Sequence, residues 1–236
     1  MQNPASPTLP EVAQFFQRLA ALHNAEALRF MDEFTAFKAR FQHEQQSAEL
    51  ANRQRAPGFN IFDFFADRRR EKFHSDFLAF LLNPRASHAQ GHLFIESFFE
   101  MARRADPTLL LPSGPLDHGF WLVEREVFIQ DGFLDIVLRN PSLGALYVIE
   151  NKIDADEQTG QLTRYGAYLE RQGHPFQGLL FLTLDGHESW TSKGVRYSQL
   201  SYRHDIHTWI ETILPRVEAP TVRETVRQYQ ALIHKL

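Results

Sequence analysis

Gly132-Phe133-Leu134-Asp135-Ile136-Val137-Leu138, followed by Leu146-Tyr147-Val148-Ile149-Glu150-Asn151-Lys152, is the stretch whose reading decides the fold. Both pieces are apolar runs rich in residues that favour strands. Between them, Arg139-Asn140-Pro141-Ser142-Leu143-Gly144-Ala145 is a cluster of turn formers, so the pair reads as an antiparallel hairpin. Side chains i and i+2 of a strand share a face. Glu150 and Lys152 therefore project together, with Asn151 on the other side. Closing the hairpin lets Asp135 lie beside Glu150, which brings two carboxylates and an amine to the edge of an apolar sheet. Buried charge costs several kcal/mol unless it is paired or bound to a metal.

The chain has 236 residues, of which 43% are hydrophobic and 21 are phenylalanine, enough for one large domain or a domain with an extension. We expect a helical extension over residues 1–56 and a main domain over 57–236. The absence of cysteine excludes disulfides, iron–sulfur clusters and thiolate zinc sites, and fits a cytoplasmic protein. The N-terminus lacks the layout of a signal peptide, and no apolar run approaches the roughly 20 residues of a membrane span. A net charge of −4 gives no global signature for nucleic acid, so a nucleic-acid enzyme needs a local basic surface.

Outward from the hairpin, the pattern is helical on both sides. After a proline-bearing lead-in over residues 1–10, a helix is expected from Pro10 to His43. Its Phe30, Phe34, Phe37 and Phe41 form an apolar stripe that reads as a core or partner-facing surface. Residues 44–56 are polar, and Pro57-Gly58 is a break. Ile61, Phe62, Phe64 and Phe65 form an aromatic cluster. Arg68-Arg69-Arg70 reads as a solvated face, with phosphate contact as the alternative. Glu71 to Leu82 is an amphipathic helix that Asn83-Pro84 stops, and it sets Glu71, His74 and Ser75 a turn apart. His88 and His92 have i, i+4 spacing, but Gly91 and the lack of an acidic neighbour argue against a helical metal site. A helix over about His92–Arg104 and a strand over Trp121–Ile129 lead into the hairpin. A helix from Asp154 to Gln172 is expected next, with Gln158, Gln161, Tyr165 and Tyr168 on one side. A fourth strand over Phe176–Leu184 follows, then a polar loop through Trp190 and Lys193, a short strand over Tyr197–Tyr202, and two closing helices. The order is that of an α/β protein with a mixed sheet.

Two carboxylates at the ends of adjacent strands make a hard-oxygen site suited to Mg²⁺ or Mn²⁺. A lysine beside them can position or deprotonate an attacking water and offset charge at a phosphorus centre. Gln161 and Tyr165, one helical turn apart, can orient water or backbone phosphate. The chemistry that fits is phosphodiester hydrolysis. The ordinary alternative is a surface ion pair at a strand end, and Glu-x-Lys alone is a weak signal. Asp135 in an apolar strand, Glu150-x-Lys152 ending the next, and Gln161-x-x-x-Tyr165 on the following helix make a stronger one.

These residues resemble the PD-(D/E)xK nuclease superfamily, whose core runs helix, three strands, helix, strand. The resemblance extends to an uncharacterised bacterial group within it through Asn60-Ile61-Phe62-Asp63, the Glu71–Pro84 segment, Leu182-Thr183-Leu184-Asp185-Gly186, and Ser201-Tyr202 before Trp209. It covers about residues 60–215, and Leu134 stands where the superfamily name has a proline. It implies a restriction-endonuclease-like αβββαβ core, with a mixed sheet flanked by helices and extra helices at both ends. It also implies that Asp135 and Glu150 bind the metal, with the Asn151 carbonyl, and that Lys152 assists the attacking water. Glu71 reaches the metal directly or through water, while Gln161 and Tyr165 support the site or contact DNA. His74 is given either a site role or helix packing. The expected function is a Mg²⁺-dependent DNA nuclease of bacterial defence, restriction or repair, with DNA as substrate. One alternative is an inactive nuclease fold that docks a partner or a second copy through its N-terminal helices; another is hydrolysis of RNA or nucleotides at the same site.

Overall fold

The computed structural model describes residues 9–56, 58–64, 69–117, 119–130, 132–192 and 194–236. The lead-in through residue 8, Pro57, Phe65, Arg68 and Lys193 of the reading above lie outside them. The chain divides into two compact units, Met1–Phe59 and Asn60–Leu236.

In the first unit, α1 runs Leu9–Arg55 as one helix. It passes the expected end at His43 because Glu44–Arg55 holds strong helix formers and neither glycine nor proline. A Glu49–Arg53 ion pair one turn apart, 2.9 Å long, supports that last part. The phenylalanine stripe is solvent-exposed, with Phe30 stacked on Phe34 and Phe37 on Phe41 at 6.3 and 6.2 Å between ring centres.

The second unit is built on a five-stranded sheet of β1 (Leu122–Ile129), β2 (Gly132–Asn140), β3 (Ala145–Lys152), β4 (Phe176–Thr183) and β5 (Ser198–Ser201), in that spatial order. The expected hairpin is present: β1, β2 and β3 are antiparallel, whereas β4 and β5 run parallel to β3. The β2–β3 connection closes where the Asn140 side chain accepts from the Leu143 amide at 3.2 Å and Gly144 takes φ 62°. The helices are α2 (Glu71–Leu82), α3 (Leu93–Ala105), α4 (Gln161–Gln172), α5 (His207–Ile213) and α6 (Pro220–Ile233). A single π-turn over Tyr202–Ile206 leads into α5.

Two apolar layers sandwich the sheet. On one face Ile136, Leu138, Tyr147, Ile149, Leu180 and Leu182 pack with residues of α2, α3, α5 and α6. On the other, Val137, Leu146, Val148, Leu179 and Phe181 meet Leu162, Tyr165 and Leu169 of α4. β3 is central and buried on both faces, which is why its sequence is a continuous apolar run instead of an alternating one. The αβββαβ order with a helix-flanked mixed sheet is therefore present, with β5 and the closing helices added.

One expected element is shorter. The helix after β3 begins at Gln161, not Asp154, so Gln158 precedes it. Gly160, at φ 67°, occupies a left-handed conformation that no helix can run through. The backbone amides of Ile153, Asp154 and Ala155 are taken by the Glu71 carboxylate instead of a helical ladder.

Both apolar layers are made of residues from Phe62 onward. A chain beginning at Asn60 is therefore expected to keep a single cooperative thermal transition and native far-UV circular dichroism. A broad, non-cooperative melt would contradict this division.

Candidate active site

The C-terminal end of β3, the start of α2, the start of β2 and α4 meet at one place. Glu150 there is fully buried. Its Oε1 lies 3.3 Å from Lys152 Nζ, yet among the described residues neither carboxylate oxygen has a donor at hydrogen-bond geometry. Burial first, and the charge of Asp135 second, push its pKa up to about 8. Lys152 answers this charge. Burial works against its ammonium, but Glu150, Glu71 and Asp135 together hold it above the ordinary lysine value.

Asp135 lies one step beyond the last β2–β3 pair, Ile136 with Ile149. In place of the next rung, the Asn151 amide donates to Asp135 Oδ2 at 2.9 Å. Burial raises the Asp135 pKa, although that amide, Lys152 and Arg125 pull the other way. Arg125 holds the strand from behind: it donates to the Asp135 carbonyl through Nη1 and to Asp76 Oδ1 through Nε at 2.9 Å.

Glu71 is the first residue of α2. Its Oε1 accepts from the amides of Ile153, Asp154 and Ala155 at 2.8, 3.3 and 3.0 Å. Its Oε2 lies 3.9 Å from Lys152 Nζ. The side chain thus pins the segment after β3 and supplies a second counter-charge to the lysine. Asn151, on the opposite face of the strand, donates from Nδ2 to the Glu71 carbonyl at 3.0 Å and to Ser75 Oγ at 2.9 Å. These bonds lock α2 to β3 and so set Glu71 against Lys152.

Gln161 and Tyr165 form a relay on α4. Gln161 Nε2 donates to Tyr165 Oη at 2.9 Å, and Tyr165 Oη donates to the Phe133 carbonyl at 2.6 Å. The pair grips the start of β2 two residues before Asp135. Burial and the nearby Glu150 charge push the Tyr165 phenol up to about 12, so it remains a donor at neutral pH.

The structure thus joins Glu71, Glu150 and Lys152 through ion-pair contacts, ties Asp135 to them through the Asn151 amide, and attaches Gln161–Tyr165 through the β2 backbone. Ser75, Arg125 and the Asn151 side chain were missed as parts of the site. Ser75 carries a signal in its place one turn after Glu71; Arg125 carries none, because only the β1–β2 register brings it to Asp135. The other candidates lie elsewhere. His74 is buried with Nδ1 2.9 Å from Tyr229 Oη, in the packing of α2 on α6. His88 accepts from the Gln90 amide at Nδ1 and bonds the Asn83 carbonyl through Nε2, at 3.0 and 2.9 Å, which leaves no nitrogen for a metal. Arg69 is paired with Asp154, at 2.6 Å from Nε to Oδ2.

A family model described as the PD-(D/E)XK nuclease superfamily matches residues 59–234. The chain belongs to that superfamily. Among curated proteins and among solved structures, none matches it. Members of this nuclease superfamily are typically metal-dependent phosphodiesterases that use Mg²⁺. The donors here suit such an ion: two hard carboxylates, one of them with both oxygens buried and, among the described residues, without a well-aligned hydrogen bond. Among the described residues, no group of three or more His, Asp or Glu side chains is arranged to hold a metal. A set built on this pair would draw further donors from the main chain or solvent.

The buried Glu150 carboxyl has a consequence for stability. Between the ordinary glutamate value of 4.5 and about 8, the folded chain holds a proton that the unfolded chain has released. This group's contribution is therefore fully present below the ordinary value and falls as pH rises through 8. In metal-free buffer, Glu150→Gln is expected to raise the melting temperature at alkaline pH and to change it little near pH 4.5. About 2–4 °C is expected for each kcal/mol relieved. A variant less stable than the parent at alkaline pH would contradict the assignment.

Proposed function

We propose that this chain is a Mg²⁺- or Mn²⁺-dependent nuclease that hydrolyses DNA phosphodiester bonds. The observation that carries the reading is the fully buried Glu150 carboxylate, which has Lys152 Nζ 3.3 Å from Oε1 and, among the described residues, no well-aligned hydrogen bond at either oxygen. Side chains left this way in a protein interior call for an explanation, and a hard cation is the one that the oxygen donors fit.

In this reading Asp135, Glu150 and the Asn151 carbonyl would hold the cation, with Glu71 Oε2 as a further oxygen donor. The ion, when bound, would supply Lewis-acid stabilisation of negative charge on the phosphoryl group. Lys152, kept charged by its carboxylate neighbours, would orient the attacking water and offset charge on the phosphoryl group. As that water's oxygen bonds to phosphorus its proton passes to solvent, and as the phosphorus–oxygen ester bond breaks the leaving oxygen takes up a proton to depart as an alcohol. Asn151 and Arg125 keep Asp135 in place through its carboxylate and its carbonyl. The Gln161–Tyr165 relay fixes the strand that carries Asp135. A role in bacterial defence, restriction or repair follows from the family resemblance.

With Mg²⁺, the full chain is expected to cut DNA, offered both as plasmid and as a short single strand. Asp135→Ala and Lys152→Ala should each lower the rate by roughly a hundredfold or more. Both variants cutting at the parent rate would overturn the site assignment.

The exposed α1 stripe favours a second, compatible reading, in which the N-terminal helix docks a second copy of this chain. Sedimentation is expected to show a dimer that Phe34→Glu with Phe37→Glu dissociates. A monomeric parent would remove this reading.

A further inference from the structure

Trp190 is 73% exposed, whereas the other two tryptophans, Trp121 and Trp209, are buried. It is nevertheless held in a built setting. Its indole stacks on the His187 imidazole at 4.6 Å and 16°, and His187 Nδ1 lies 2.8 Å from Asp185 Oδ1. The Glu157 carboxylate fixes the backbone beneath. It accepts from the amides of Trp190 and Thr191 at 3.1 and 3.3 Å, and from the hydroxyls of Ser189 and Thr191. Glu157 belongs to the segment that follows Lys152, so this platform is tied to the chain leaving the candidate site. A second aromatic pair stands at the β1–β2 hairpin tip. Phe128 and Phe133 are cross-strand partners with ring centres 5.3 Å apart, both exposed, and Phe133 is two residues from Asp135.

The topology sets these two features around the site. β1 and β2 lie on one side of β3 and β4 on the other. The hairpin tip opens at the end where β3 terminates in Lys152, because β2 is antiparallel to β3. The segment over residues 185–192 leaves the same end, because β4 is parallel to β3. The carboxylate–lysine cluster, the hairpin-tip phenylalanines and the loop that carries Trp190 thus lie at the same end of the sheet.

We infer that these rings receive unpaired bases, with Trp190 as the principal platform, and that the preferred substrate is single-stranded DNA or a frayed end. The inference rests on the nuclease reading above. In a duplex the base faces are already covered by their neighbours, whereas an unpaired base can stack on an aromatic side chain whatever its sequence.

The test titrates the full chain with a short single strand and with a blunt duplex of the same sequence, without added metal. Cleavage of both is then measured with Mg²⁺. The single strand is expected to quench tryptophan emission in the parent and not in Trp190→Phe. Trp190→Ala should weaken single-strand binding by roughly five- to a hundredfold and collapse the ratio of single-strand to duplex affinity, and Trp190→Phe should restore most of both. Unchanged emission on binding, or a parental ratio in Trp190→Ala, would overturn the inference. Mg²⁺-dependent cleavage with either of those results would leave the nuclease reading standing. Trp190-dependent binding with no cleavage of either substrate would support the platform and remove the nuclease reading.

Discussion

The end of β3 is the constraint to which the rest of the second unit answers. The strand is central and covered on both faces, so whatever follows Ile149 along it is inside the protein. The sequence then places a glutamate, an asparagine and a lysine there. Each is handled differently. Asn151 turns to α2 and ties the helix to the strand. Lys152 is neutralised by carboxylates on either side. Glu150 is left with the lysine at ion-pair distance and, among the described residues, no well-aligned hydrogen bond. The arrangement costs stability, because a buried charge without full satisfaction is unfavourable by several kcal/mol in general.

Much of the surrounding structure maintains that arrangement. Glu71 collects three consecutive amides just past Lys152, which bends the chain away from the sheet and delays the start of α4 until Gly160. Tyr165 then reaches back from α4 to the backbone of β2. Arg125 reaches across from β1 to the Asp135 carbonyl. Each bond stiffens a backbone position next to a carboxylate without satisfying the carboxylate of Glu150. That is the pattern expected of a site preorganised for a ligand, where strain at one group is stabilised by the packing around it.

The hairpin, the order of elements and the strand-to-helix alternation were legible because hydrophobic period and turn residues are local signals. So was α2, which begins at Glu71 and ends before the Asn83-Pro84 stop. Asp135, Glu150 and Lys152 also declared themselves, since charge in an apolar strand is conspicuous in a sequence, whereas Glu71, at the start of a helix, was marked only by the family resemblance. Other features depended on distant partners. The late start of α4 follows from a carboxylate 82 residues away from the Ile153 amide that it binds. His74 and His88 carry no mark separating a ligand from a packed ring; their partners Tyr229 and Gln90 decide it. The continuation of α1 beyond His43 was obscured because a polar helix and a polar linker share composition, and only the helix propensities of Glu44–Arg55 tell them apart.

The central claim is that the Asp135–Glu150 pair exists to hold a divalent cation. Crystals of the full chain soaked in Mn²⁺ and measured at the manganese absorption edge test it directly. The account predicts an anomalous peak between the two carboxylates, with Lys152 Nζ displaced from or beside it. A peak elsewhere, or none with Lys152 still paired to Glu150, would contradict it.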